Sequence, residues 1–130
     1  MYYASHFYML DENNEWYELT NIEIPHTITS IGDYQFYGFN NVTSIIIPDS
    51  VTSIGGRAFS GCRSLTSIVI PDSVTTIGEF AFNACYSSAI YCEASSKPSG
   101  WPSSWNYSDR PVYWAGKWEY GADGNPTPII

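Results

Sequence analysis

An internal repeat of 23 residues constrains this chain more than any other feature. Ile-Pro pairs recur at residues 24–25, 47–48 and 70–71. Further apolar columns keep the same register: Ile22, Ile45, Ile68; Ile28, Val51, Val74; Ile31, Ile54, Ile77; and Phe36, Phe59, Phe82. A period of about 20 to 29 residues with fixed apolar positions is typical of stacked solenoid coils. The sequence therefore predicts a repeat solenoid, an architecture that more often binds than catalyses.

Each unit has a readable local pattern. In residues 67–70 isoleucines alternate with other residues, which predicts a strand with one buried face, and Pro71 ends it because proline cannot donate to a sheet. Residues 74–77 form a second β-branched stretch, and Gly78 permits a bend. Residues 79–85 mix Ala and Phe, which predicts one or two turns of helix. The predicted coil is strand, turn, strand and short helix.

The ends of a solenoid need caps, because a terminal coil exposes its apolar cross-section. Residues 1–21 contain two apolar stretches around a polar turn and predict a hairpin cap. Residues 22–92 hold three repeats, and residues 93–130 form an aromatic-rich C-terminal cap and tail, all within one domain. We expect Trp101 and Trp105 to cap the core. The alternative is that these two rings form a sugar-stacking platform.

The acidity of the chain is concentrated in its first half. The net charge is −8, of which −7 falls within residues 1–56, where there is no Lys or Arg. Such a surface repels nucleic acid, so direct DNA or RNA binding is not expected. It would steer the chain toward a basic protein partner. The simpler alternative is that the charge only maintains solubility.

Catalytic and metal-binding patterns are not found in the sequence. Cys62 and Cys85 occupy the same repeat position and are expected to be buried free thiols that act as small hydrophobes. With Cys92 the chain has three cysteines, so at least one of them is unpaired. The histidines, His6 and His26, have no metal-site spacing with them. No phosphate loop, no catalytic constellation and no apolar run of about 18 residues is present. We therefore expect that the protein is not an enzyme, that it has no metal or cofactor site and that it does not span a membrane.

Candidate binding residues lie on the first strand of each unit. The outward positions that we select for protein contact are Glu23, Ser44, Ile46, Ser67 and Val69, with Glu12, Glu15 and Glu18 in the acidic N-terminal segment. An outward Ile46 and Val69, with an acidic margin, would form an apolar contact strip. The alternative is that these residues merely favour strand geometry and that the tail covers them.

The repeat units resemble those of a known family. The run from Ile47 to Ser67, Ile-Pro-Asp-Ser-Val-Thr-Ser-Ile-Gly-Gly-Arg-Ala-Phe-Ser-Gly-Cys-Arg-Ser-Leu-Thr-Ser, is similar to the BspA-like, or treponemal-type, leucine-rich repeat. The resemblance covers residues 22 to about 92, and the third repeat departs from it after Cys85. It implies a curved, non-catalytic repeat domain used for adhesion or protein recognition, at the cell surface or secreted. The N-terminus lacks a secretory signal pattern, which leaves a cytoplasmic location open.

Three functions are therefore kept open. The first is a surface module for adhesion or protein recognition. The second is an acidic intracellular inhibitor, of a phage or mobile-element type, that covers a basic surface of a host protein. The third is a carbohydrate-binding module that uses Trp101 and Trp105. The inhibitor should show strong salt sensitivity, whereas a glycan complex should tolerate moderate salt. The oligomeric state has no signature in the sequence.

Overall fold

The structure, a computed structural model, describes residues 8–10, 12–14, 16–18 and 20–129. In these residues the chain forms short strands joined by turns. The strands are β1 (Tyr8–Leu10), β2 (Trp16–Glu18), β3 (Asn21–Glu23), β4 (Ser30–Ile31), β5 (Ser44–Ile46), β6 (Ser53–Ile54), β7 (Ser67–Ile70), β8 (Thr76–Ile77), β9 (Ala89–Cys92), β10 (Val112–Tyr113), β11 (Trp118–Tyr120) and β12 (Pro126–Pro128).

Equivalent strands of successive coils pair in parallel. The first strands form a five-stranded sheet in the order β10-β9-β7-β5-β3, and the second strands form a three-stranded sheet in the order β4-β6-β8. Ile22 pairs with Ile45 in the first sheet, and Ile54 pairs with Ile77 in the second. The predicted repeat solenoid is confirmed, with the register that the 23-residue period dictates.

A ladder of phenylalanine rings runs through the core. Phe36 stacks on Phe59 with ring centroids 5.4 Å apart and planes 8° apart, and Phe59 stacks on Phe82 at 5.3 Å and 4°. The near-parallel planes show that the ring orientation is kept from coil to coil. Phe59 and Phe82 are fully buried. Large apolar rings of this kind contribute strongly to core stability.

Hydroxyl side chains form a second set of contacts between coils. The Thr52 Oγ1 donates to the carbonyl of Thr29 at 3.2 Å, and the Thr75 Oγ1 donates to that of Thr52 at 3.2 Å. Ser73 donates to the carbonyl of Val51 at 2.7 Å. Because each bond joins one coil to the preceding one, these polar side chains hold the stack together rather than serving only as exposed strand residues.

The helix predicted over residues 79–85 is wrong. The chain there forms tight turns, in which Asn83 N donates to the carbonyl of Phe80 at 3.1 Å and Cys85 N to that of Phe82 at 3.4 Å. Phe80 and Ala84 have φ angles of 58° and 60°, which no right-handed helix contains. The described residues contain no helix long and apolar enough to cross a membrane.

Cys62 and Cys85 are buried and free, as predicted, and Cys92 is also buried and free. The Cys62 Sγ donates to the carbonyl of Phe36 at 3.2 Å, and the Cys85 Sγ donates to that of Phe59 at 2.9 Å. Interaction with Cys85 and burial raise the pKa of Cys62, and burial raises the pKa of Cys92 to about 12. Cys62 and Cys92 therefore stay protonated at neutral pH and are poor nucleophiles or metal ligands.

Non-repetitive segments lie at both ends of the solenoid. The strands β1 and β2 pair antiparallel, so the predicted N-terminal hairpin is present, and its capping role stays a prediction. At the other end the Trp105 ring meets Phe82 edge-on at 6.1 Å, and the Trp101 Nε1 donates to the carbonyl of Val74 at 3.3 Å. These tryptophans extend the core beyond the last repeat. The domain limits 1–21, 22–92 and 93–130 stay predictions.

Exchanging glycine and alanine in one turn column should change stability in opposite directions. Gly38, Gly61 and Ala84 are equivalent and have φ angles of 74°, 78° and 60°. Because the left-handed conformation is unfavourable for a residue with a Cβ, Ala84→Gly should raise the free energy of unfolding by about 0.5–1 kcal/mol. Gly61→Ala should lower it by about 1 kcal/mol for the same reason.

Urea denaturation followed by tryptophan fluorescence measures both changes. The control is Ala89→Gly in β9, where an extended residue gains nothing from glycine and should lose stability. Equal destabilisation by Ala84→Gly and Ala89→Gly would contradict the role assigned to the turn column.

The buried Cys92 should make the fold sensitive to alkali. Its thiol keeps its proton up to about pH 12, whereas the ordinary value is 9.0. Between these values the unfolded chain binds fewer protons than the native chain, so the free energy of unfolding falls as the pH rises, by at most about 1.4 kcal/mol per pH unit for one thiol. In urea titrations from pH 8 to 11, Cys92→Ala should show a shallower decline than the unmodified chain. The same slope in both proteins would refute this assignment.

Candidate functional site

The outward side of the five-stranded sheet carries its residues in rows. One row joins Glu23 to its pairing partner Ile46. The β5–β7 register, in which Ser44 pairs with Ser67, continues this row to Val69, and from there it runs through Tyr91 to Tyr113. Burial changes along this row: Ile46 is 57% exposed, Val69 is half-buried and Tyr91 is 5% exposed. The sheet face is therefore open at β5 and covered at β9.

The cover is the C-terminal hairpin formed by β11 and β12. Its Trp118 ring lies 5.5 Å from that of Tyr91, and the Trp118 Nε1 donates to the carbonyl of Cys92 at 2.9 Å. Tyr91 also stacks on Tyr113 at 5.2 Å. The tail therefore covers the β9 end of the sheet, whereas Ile46 on β5 stays accessible.

Two adjoining depressions lie between the open strands and the hairpin, and we call them together the strand-face groove. The apolar compartment has a volume of about 440 Å³ and contains Ile46 and Val69, and the polar compartment has a volume of about 420 Å³. The polar compartment is lined by Asn21, Thr43, Ser44, Thr66, Ser67, Tyr91, Asn125 and Pro126. The two compartments share four residues, namely Ser44, Ser67, Asn125 and Pro126.

The apolar compartment has an acidic margin. Asp49 and Glu93 line it together with His26, whose Nδ1 lies 3.9 Å from Asp49 Oδ1. Glu93 accepts a hydrogen bond from the backbone N–H of Asp72 at 3.0 Å. Burial and the charge of Glu93 raise the pKa of Tyr120, which lines the same compartment. No Lys or Arg of the described chain lines the groove, so its potential is negative.

The predicted contact residues fall into three groups. Ser44, Ile46, Ser67 and Val69 come together in the strand-face groove. Glu23 lies outside it and lines a separate apolar depression on the first coil. The acidic residues of the N-terminal segment are not placed in the groove: Glu12 is exposed, and Glu15 and the side chain of Glu18 lie outside the described residues.

The rings of Trp101 and Trp105 are not available to a ligand. Their exposed fractions are 1% and 5%, and their centroids lie 4.9 Å apart at an angle of 61°. Sugar stacking needs an exposed ring face, and neither ring has one. The carbohydrate-binding alternative therefore has no support from these two residues.

Sequence reasoning missed several residues of the groove. Asp49 follows the Ile-Pro pair of the second repeat, and its place at the end of β5 could have been found from the register. Tyr120, Asn125 and Pro126 had no such signal, because the tail does not share the repeat. Among the described residues, no cluster of three His, Cys, Asp or Glu side chains could hold a metal ion.

Comparisons with known proteins agree with this architecture. A family model described as the BspA type leucine rich repeat region matches residues 13–96, in six copies. A leucine rich cell surface protein from Faecalibacterium prausnitzii, solved by crystallography, is similar in fold, with a TM-score of 0.56 and 23% identity. The match covers 88% of this chain and 42% of that one. No curated protein matches the sequence. The chain belongs to the BspA-type leucine-rich repeat family.

Proposed function

We propose that this domain is a non-catalytic module that recognises another protein through the strand-face groove, in adhesion or in another surface interaction. The observation that carries the proposal is the exposed Ile46 at the centre of an open sheet face with an acidic margin. The chain belongs to a repeat family, and stacked repeats create extended surfaces that bind partners. This membership supports the same function.

The composition of the groove suits a protein interface. Interfaces combine an apolar centre with a polar rim, and a few anchor residues at the centre supply most of the binding energy. Ile46 and Val69 form such a centre, while Asp49, Glu93 and the hydroxyl residues surround it. A partner that covers Ile46 would remove from water an apolar side chain that the fold leaves 57% exposed.

The charge of the domain favours a basic partner. The net charge is −8, and the described residues that line the groove include carboxylates but no Lys or Arg. Opposite charge on a partner would raise the association rate and reduce binding to acidic competitors. An inhibitor that covers a basic surface of a host protein is the second candidate, because it would use the same acidic groove. The identity of the partner separates the two.

Capture experiments test this function with a matched pair of variants. The chain is immobilised and exposed to surface and soluble extracts of the organism that encodes it, and bound proteins are identified by mass spectrometry at low and high salt. Ile46→Arg should lose the specific partner at least about tenfold, because it replaces an apolar anchor with a charge that repels a basic surface. Tyr86→Arg is the control, since Tyr86 is 62% exposed and lies outside the groove.

Equal capture by Ile46→Arg and the unmodified chain would contradict the proposal. A variant with Glu12, Glu15, Glu18 and Glu23 changed to Gln tests the contribution of the N-terminal acids. An extracellular partner would support the adhesion function. A basic intracellular partner released by salt, and lost with the Gln variant, would support the inhibitor function.

A further inference from the structure

We propose that the strand-face groove binds an extended segment of its partner, about six residues long, with an aliphatic side chain at its centre and a Lys or Arg at one end. This inference rests on the proposed function and specifies the form of the ligand. It does not require the partner to be folded around that segment.

The shape of the groove favours an extended ligand. The polar compartment includes Thr43, just before β5, and the apolar compartment includes Asp49, just after it, so the groove follows the strand direction. The seven residues from Thr43 to Asp49 are joined by six steps of about 3.3 Å, so they span at most about 20 Å. An extended peptide has the same rise per residue, so about six of its residues would span the two compartments.

The compartments form one path rather than two separate sites. Ser44 and Ser67 lie on the strands, Asn125 and Pro126 lie on the hairpin, and all four line both depressions. A ligand that passes between these pairs contacts strand residues on one side and the hairpin on the other. Each volume, of about 440 and 420 Å³, suits a ligand part of modest size rather than a whole protein surface.

The chemistry changes in order along this path. Side chains of Asn21, Thr43 and Thr66 line the polar compartment. The hydroxyls of Thr43 and Thr66 donate to carbonyls of the preceding coil, so their oxygens can still accept hydrogen bonds from the N–H groups of a peptide. Ile46, Val69 and Tyr120 line the apolar compartment, where an aliphatic side chain fits. Pockets for successive side chains combined with polar contacts to the backbone are the usual means of recognising extended peptides.

Charge complementarity indicates that one end of the ligand is basic. Asp49 and Glu93 both line the apolar compartment, and Asp49 follows the end of β5. His26 is near Asp49, and among the described residues it is the only side chain on this margin that can carry a positive charge. A Lys or Arg of the ligand would therefore meet a carboxylate on this margin, and a bidentate contact would favour Arg.

Peptide display tests the inference directly. A phage library of random hexapeptides is selected on the immobilised full chain, and a recovered peptide labelled with fluorescein is titrated by fluorescence anisotropy. We expect the recovered peptides to share a Lys or Arg two or three positions from an aliphatic residue. We expect the affinity to fall as salt increases.

Three variants locate the bound peptide. Asp49→Asn combined with Glu93→Gln should weaken binding at least about tenfold and flatten its salt dependence. Ser67→Tyr should abolish binding, because it places a ring where the two compartments join. Asp109→Asn is the matched control, since Asp109 is exposed and outside the groove, and it should bind normally. Circular dichroism and thermal melting confirm that every variant is folded.

The results distinguish a failure of this inference from a failure of the proposed function on which it rests. Recovery of no shared motif, or unchanged binding by folded Ser67→Tyr, would overturn the extended-peptide inference. If the captured protein partner is still lost with Ile46→Arg in that case, the partner uses the same face through a folded surface, and the proposed function stands. If Ile46→Arg loses neither peptide nor protein partner, both fail.

Discussion

The parallel pairing of equivalent strands is the constraint on which the rest of the structure depends. Each coil must place its backbone about 4.8 Å from the next one, so every position is repeated as a column. Small residues are required where backbones approach most closely: a Cβ on Gly78 would lie under 3.0 Å from the backbone of Gly56. The same spacing lets Phe36, Phe59 and Phe82 stack face to face. Core, turns and hydroxyl contacts all follow from one translational repeat.

The turns show that contacts between coils outweigh the backbone conformational preference of individual residues. Tyr34, Arg57 and Phe80 are equivalent, and all have positive φ angles although none is glycine. Their backbone N–H groups donate to the following coil, to the carbonyls of Gly56, Glu79 and Ser104. The guanidinium of Arg57 also lies 4.7 Å from the ring centroid of Phe80. These contacts between coils offset the unfavourable backbone conformation, which costs about 1–2 kcal/mol per residue.

The groove arises where the repetitive and non-repetitive parts of the chain meet. The solenoid supplies a regular sheet face, and the C-terminal hairpin covers only one end of it through Tyr91 and Trp118. A regular solenoid alone would present a flat face, whereas the hairpin gives that face a wall with Tyr120 and Asn125. The acidic residues then complete a concave surface with one sign of charge, which concentrates an oppositely charged ligand.

The sequence by itself determined the coil period, the core columns, the buried thiols at the shared repeat position and the common face of Ser44, Ile46, Ser67 and Val69. Equivalent residues recur at the same positions in every unit, so the register of these features can be determined from the sequence without the structure. Only the tertiary structure decided that residues 79–85 form turns, that Trp101 and Trp105 are buried, and that the hairpin lies beside β5 and β7. Those outcomes depend on contacts between distant segments. Non-repetitive residues carry no periodic signal that would reveal their partners.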